Sequence, residues 1–129
     1  MASWFFSDER DDYSLAVARE VESNGAVVPA LWLWEVENIL YQGLRRRRIS
    51  ETQLLSNLGD LRTLGFDLDL PPSFGAELTL AKRHSLTIYD AAYLELALRR
   101  NLRLATKDTA LTRAAKAESL YYAMRGPRP

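Results

Sequence analysis

The sequence has no cysteine, which removes disulfides, thiolate catalysis and cysteine-based zinc sites together. It has one histidine, His84, so a multi-histidine metal site is also excluded. Glycine and proline are few, 6 and 5 among 129 residues, and leave no room for a low-complexity linker. No apolar run approaches the ~18–20 residues needed to cross a bilayer. An excess of one charge is missing too. Lys+Arg 17 balance Asp+Glu 17, so bulk charge cannot coat nucleic acid and only a local basic patch can bind it. A signal peptide is not apparent: Met1 to Phe6 carry no basic residue, and Asp8, Glu9, Asp11 and Asp12 follow at once. These absences together predict a cytoplasmic protein with no membrane association. What is present, 47% apolar and 26% charged residues, is ordinary globular composition. The length predicts one domain over residues 1–125, with 126–129 as a frayed tail.

The pattern along the chain alternates helix and strand. A helix is expected over about 8–23, with acids in its first turn and Asn24-Gly25 as its stop. Residues 26–29, Ala-Val-Val-Pro, read as a short buried strand. A second helix over about 31–47 has Trp32, Val36, Ile39, Leu40 and Leu44 on one face. Ser50 and Gln53 fit a capping box opening a third helix, whose inner side is Leu54, Leu55, Leu58 and Leu61. Residues 66–70 alternate at period two and read as a strand. Pro71-Pro72 stand where the next helix begins. Further helices are expected over 90–100 and 109–117, with strands over 102–106 and 119–123. Such alternation predicts an α/β fold: a parallel sheet with helices on both faces, and function at the carboxyl ends of its strands.

Three acids differ from the solvated majority. Glu35 interrupts the apolar start of the second helix, Asp90 lies between Leu86-Thr87-Ile88-Tyr89 and Ala91-Ala92-Tyr93-Leu94, and Asp108 follows the strand 102–106 by two residues. Each stands at a passage from strand to helix. Carboxylates in apolar surroundings cost roughly 3–5 kcal/mol when unpaired. Several converging would repel one another unless a hard cation such as Mg2+ or Mn2+ took their oxygens as ligands. Each also has a purely structural explanation: Asp90 and Asp108 as helix N-caps, Glu35 as the partner of an arginine.

The segments Ala26-Val27-Val28-Pro29-Ala30-Leu31-Trp32 with Glu35-Val36-Glu37-Asn38, then His84 to Leu94 with Tyr89-Asp90-Ala91-Ala92-Tyr93-Leu94, then Leu104-Ala105-Thr106-Lys107-Asp108, resemble PIN-domain proteins along essentially the whole chain. The nearest likeness is to the VapC-type toxin ribonucleases of toxin–antitoxin pairs. The resemblance implies a three-layer PIN-like fold and metal-dependent endoribonuclease activity on RNA phosphodiesters, with Mg2+ or Mn2+ as cofactor. It implies that Glu35, Asp90 and Asp108 are the second, third and fourth acids and hold the metal. Thr106 is then the hydroxyl residue beside the last acid, and Glu37 and Asn38 are supporting residues. The partners it implies are a VapB-like antitoxin protein and a second copy of the chain in a homodimer. Family members begin with a central strand ending in an acid, and by this register that strand and acid fall ahead of Met1. Fewer ligands and a gap in the sheet are then expected, and with them weak activity.

Two further features bear on function. Arg45-Arg46-Arg47-Arg48 is the most concentrated charge in the chain, either an RNA-contact patch or a solvated helix end. Trp4, Trp32 and Trp34 either stack on bases or belong to a core or interface. His84 is expected to be structural. The alternative to a nuclease is a degenerate, non-catalytic PIN-like module that binds a partner protein or RNA. A phosphatase or nucleotide-binding reading lacks a glycine-rich phosphate loop.

Overall fold

A computed structural model describes residues 11–72 and 74–124. The expected helix start at Asp8, the Trp4 segment and the tail 126–129 lie outside the described residues. The chain divides into two compact units, 1–68 and 69–129.

The first unit opens with α1 (Asp12–Asn24). Asp11 caps it, accepting from the Ser14 N–H at 2.8 Å, while the Ser14 hydroxyl oxygen accepts from the Asp11 N–H at 3.1 Å. Gly25, at φ 74°, turns the chain out of the helix into β1 (Ala26–Pro29). Next come α2 (Leu31–Arg45) and α3 (Glu51–Thr63), and then β2 (Phe66–Asp69), which pairs with β1. On α2 the buried residues are Trp32, Val36, Leu40 and Gly43, spaced 4, 4 and 3, a single stripe. The Trp32 ring lies 4.4 Å from that of Phe66. The Ser50–Gln53 capping box forms as expected. The expected inner face of α3 is corrected in part. No residue of α3 is fully buried, and Leu55 is 61% exposed, because Leu54, Leu58 and Leu61 already form the inward row.

The second unit contains α4 (Ala76–His84), α5 (Ile88–Arg100) and α6 (Thr109–Ala117). Its core is built from Leu80 and Ala81 on α4, Ala91, Leu94 and Ala97 on α5, and Leu111, Ala114 and Ala115 on α6, with Leu104 between. The alanines bring the helix backbones close, which leaves Leu94 with no exposed surface. α4 begins later than Pro71-Pro72 suggested. The prolines favour extended backbone before them, and the helix starts only after Gly75 at φ 111°.

The strands expected over 102–106 and 119–123 shrink to one parallel bridge, Leu104 to Tyr121. Leu104 donates to the Leu120 carbonyl at 2.7 Å, and Tyr122 donates to the Leu104 carbonyl at 2.9 Å. Helix closure consumes the remainder. Asn101 takes the left-handed conformation and the Leu102 N–H returns to the Ala97 carbonyl; Ser119 does the same, with Leu120 returning to Ala115. Helices combined with short parallel pairing make the chain an α/β protein.

Candidate active site

Asp90 owes its position to a cap formed by Thr87, three residues before it. Thr87 is the N-cap of α5, and its hydroxyl oxygen accepts from the Asp90 N–H at 3.1 Å. Asp90 is therefore the third residue of the helix, and the capping explanation for it fails. Its carboxyl group is partly buried, and its pKa is raised above the usual 3.8. Burial is the main cause and the charge of Asp108 the second, opposed by a hydrogen bond with Thr87. No described cation pairs with it.

Asp108 is the N-cap of α6, so the structural reading does account for part of its role. One carboxylate oxygen accepts from the Leu111 N–H at 2.8 Å. Thr106 sits directly beside it: the Asp108 N–H donates to the Thr106 hydroxyl oxygen at 3.1 Å. The Thr112 hydroxyl donates to the Thr106 carbonyl at 3.4 Å and helps hold the turn. The second unit thus brings together Asp90, Asp108 and Thr106 at the entrances of α5 and α6.

Asp69, Glu95 and Glu118 of this unit are neutralised by cations. Asp69 and Glu95 are buried and share Arg99, which holds Glu95 at 2.7 Å and Asp69 at 3.1 Å, while Arg100 reaches Asp69 at 3.4 Å. Arg99, ahead of Arg100, keeps the Asp69 carboxyl below its ordinary range. Glu118 accepts from Arg83 at 2.8 Å and lies 2.8 Å from the His84 Nε2; His84 and then Arg83 hold its pKa below the usual 4.5. His84 is thus held in a structural contact with Glu118. The Glu95–Arg99 pair was visible in the sequence as an i, i+4 spacing, but Asp69 has no local signal.

Two neighbouring oxygen-donor carboxylates, one pushed toward protonation by burial and then by the charge of the other, suit a hard divalent cation. Mg2+ in particular is commonly held by one or two protein carboxylates, with water and substrate completing its shell. Within the described part of this unit no third His, Cys, Asp or Glu completes a metal-binding group. Glu35 belongs to the first unit, exposed as the fifth residue of α2. Arg45, Arg46, Arg47 and Arg48 are all exposed at the end of that helix, and the Arg45 guanidinium lies 5.7 Å from the Tyr41 ring centre.

The PIN domain family model matches residues 1–117, and the chain belongs to the PIN domain family. PIN domains are generally nucleases. The chain is also similar to a solved structure, the crystal structure of PAE2754 from Pyrobaculum aerophilum. Identity is 22%, the match covers 79% of this chain and 77% of that one, and the TM-score is 0.61, a likeness of fold alone. No curated protein matches the chain.

Proposed function

We propose that the chain is a metal-dependent endoribonuclease, the VapC-type toxin half of a toxin–antitoxin pair. The observation that carries this reading is Asp90: a partly buried acid with no capping duty and, among the described residues, no cation, with the charge of Asp108 beside it. In this reading Asp90 and Asp108 hold Mg2+ or Mn2+, and the family resemblance alone adds Glu35, the second acid in the family's order. A bound divalent ion supplies Lewis acidity toward the scissile phosphodiester.

The chain's own groups do the rest. The first turns of α5 and α6 present the positive ends of their helix dipoles, which favour an anionic phosphate nearby. The Thr106 oxygen already accepts from Asp108, so its O–H proton is left to donate to a substrate oxygen. Arg45 to Arg48 bind flanking phosphates, supplying the local positive charge that the neutral chain otherwise lacks. The partners in this reading are an antitoxin segment that enters the acidic site and a second copy of the chain.

The test is cleavage of single-stranded RNA with Mg2+ or Mn2+. Asp90→Asn is expected to lower the rate at least ~100-fold with unchanged thermal unfolding, and a chelator should abolish cleavage in the parent. RNA cleavage untouched by either change overturns the reading. The capping duty of Asp108 favours the second reading, a non-catalytic module, whose signature is RNA or partner binding without cleavage. A chain extended upstream tests the acid expected ahead of Met1: faster cleavage on extension supports it. Sedimentation mass tests the homodimer.

A further inference from the structure

We infer that the outer face of α2 is a binding track for single-stranded RNA, on which bases stack against Trp34 and Tyr41 and phosphates meet Arg45 to Arg47. The inference rests on the nuclease reading for its choice of ligand, but on its own observations for the site. Trp34, Asn38, Tyr41 and Arg45 are spaced 4, 3 and 4 along α2 and so form one ridge. That ridge lies opposite the buried stripe of Trp32, Val36, Leu40 and Gly43, so the core cannot use it. Trp34 is 66% and Tyr41 53% exposed, unusual for rings of this size.

Chemistry selects the occupant. From Trp34 to Arg45 the ridge runs about 16 Å at ~1.5 Å per residue, so it can seat a few nucleotides. It begins with an indole and ends in a run of exposed arginines, one already lying over the Tyr41 ring at 5.7 Å. Rings with guanidinium groups beside them are what an unpaired polynucleotide needs, since every base offers a π-face and every linkage a charge. Glu37, next to the ridge, repels phosphate from the Trp34 end, so the polyanion's charge is met at the arginine end. A duplex, whose bases are already stacked, gains nothing from the two rings.

The experiment measures binding of a fluorescent single-stranded RNA 12-mer by anisotropy, in chelator and on the Asp90→Asn background so that nothing is cut. Trp34→Ala and Tyr41→Ala are each expected to weaken binding about 5- to 100-fold, whereas Trp34→Phe and Tyr41→Phe bind within about twofold of the parent. A duplex of the same sequence should not respond to the alanine changes. Arg46→Ala with Arg47→Ala should reduce the salt slope of binding by about 0.7 per arginine. Alanine at both rings leaving RNA affinity unchanged overturns the track, as does a sedimentation mass that falls with Trp34→Ala while RNA affinity holds, which assigns the face to a protein contact. Cleavage by the parent chain is scored separately. A parent that cuts RNA while Trp34→Ala binds normally removes the track alone; a parent that never cuts, yet loses RNA affinity with Trp34→Ala, removes the nuclease reading alone.

Discussion

Residues 69–124 and residues 11–68 bury their apolar surface in different ways. In the later unit, five alanines at the contacts between α4, α5 and α6 let helices approach closely around Leu94 and Leu111, and two sets of ion pairs hold the periphery. In the earlier unit one large ring, Trp32, packs on Phe66, and the buried residues are spread thinly over α1, β1 and α2, while α3 contributes none. Trp32 even leaves its buried indole N–H without a described partner. Close packing of small residues fixes backbone positions, and the later unit is the one that holds the Asp90–Asp108 pair. A site that depends on two carboxylates at fixed separation needs such a frame, since misplacement by ~1 Å can cost ~100-fold in rate. The earlier unit instead offers exposed aromatic and basic surface, suited to binding.

The contrast can be broken at its strongest point first. Leu94→Ala should destabilise by about 3 kcal/mol in urea unfolding, because a fully buried leucine between close helices leaves a cavity that alanine neighbours cannot fill. A loss below ~1 kcal/mol would mean that the core relaxes and is not tightly packed.

Asp69→Ala comes next, at about 2 kcal/mol, since it removes a buried acceptor from Arg99 and Arg100. Its pH dependence has a definite sign. The folded-state pKa of Asp69 is depressed below 3.8, so its contribution is fully present above that value and disappears as pH falls through the lower, folded-state value. Glu118, depressed below 4.5, acts in the same direction. Asp69→Asn should therefore flatten the acid limb of a stability–pH curve below about pH 4, measured by thermal unfolding.

On α3, which lacks a buried residue, the local cap matters more. Ser50→Ala should cost about 1 kcal/mol and speed amide exchange along α3 before it affects α5. Ser85→Gly should give a small gain, about 0.5 kcal/mol, by relieving a left-handed serine at the end of α4. Leu55→Ser on exposed α3 surface should change stability by no more than ~0.5 kcal/mol, and a larger loss would show that this face is covered in solution.

Local signals were read from the sequence where a few neighbouring residues decide the outcome. Ser50 with Gln53, Asn24-Gly25 and the stripe on α2 need only hydrogen bonds and periodicity within a turn or two. The bounds of α6 were legible for the same reason. The helix ends at Arg47, Ser85, Asn101 and Ser119 were harder, because each uses a left-handed residue without the usual glycine. For Asp90 the type and neighbourhood were visible, yet its freedom from capping was not, since Asp is a favoured N-cap type and the helix start lies two residues earlier than expected, after Thr87.

The sequence by itself determined the α/β order of elements, the family and the acids worth testing. Only the tertiary structure decided which acids are paired. The alternation over 66–70 identifies a strand but cannot say which side faces inward: Leu70 is 75% exposed and Asp69 is buried. The reason lies thirty residues away, where Arg99 and Arg100 on α5 supply the charge and hydrogen bonds that make burying a carboxylate tolerable. Asp90 has no described cation, and its neighbour is another acid, Asp108. Chain-distant partners of this kind leave no periodic trace, so the distinction between a structural acid and a candidate catalytic one emerges only when the helices pack.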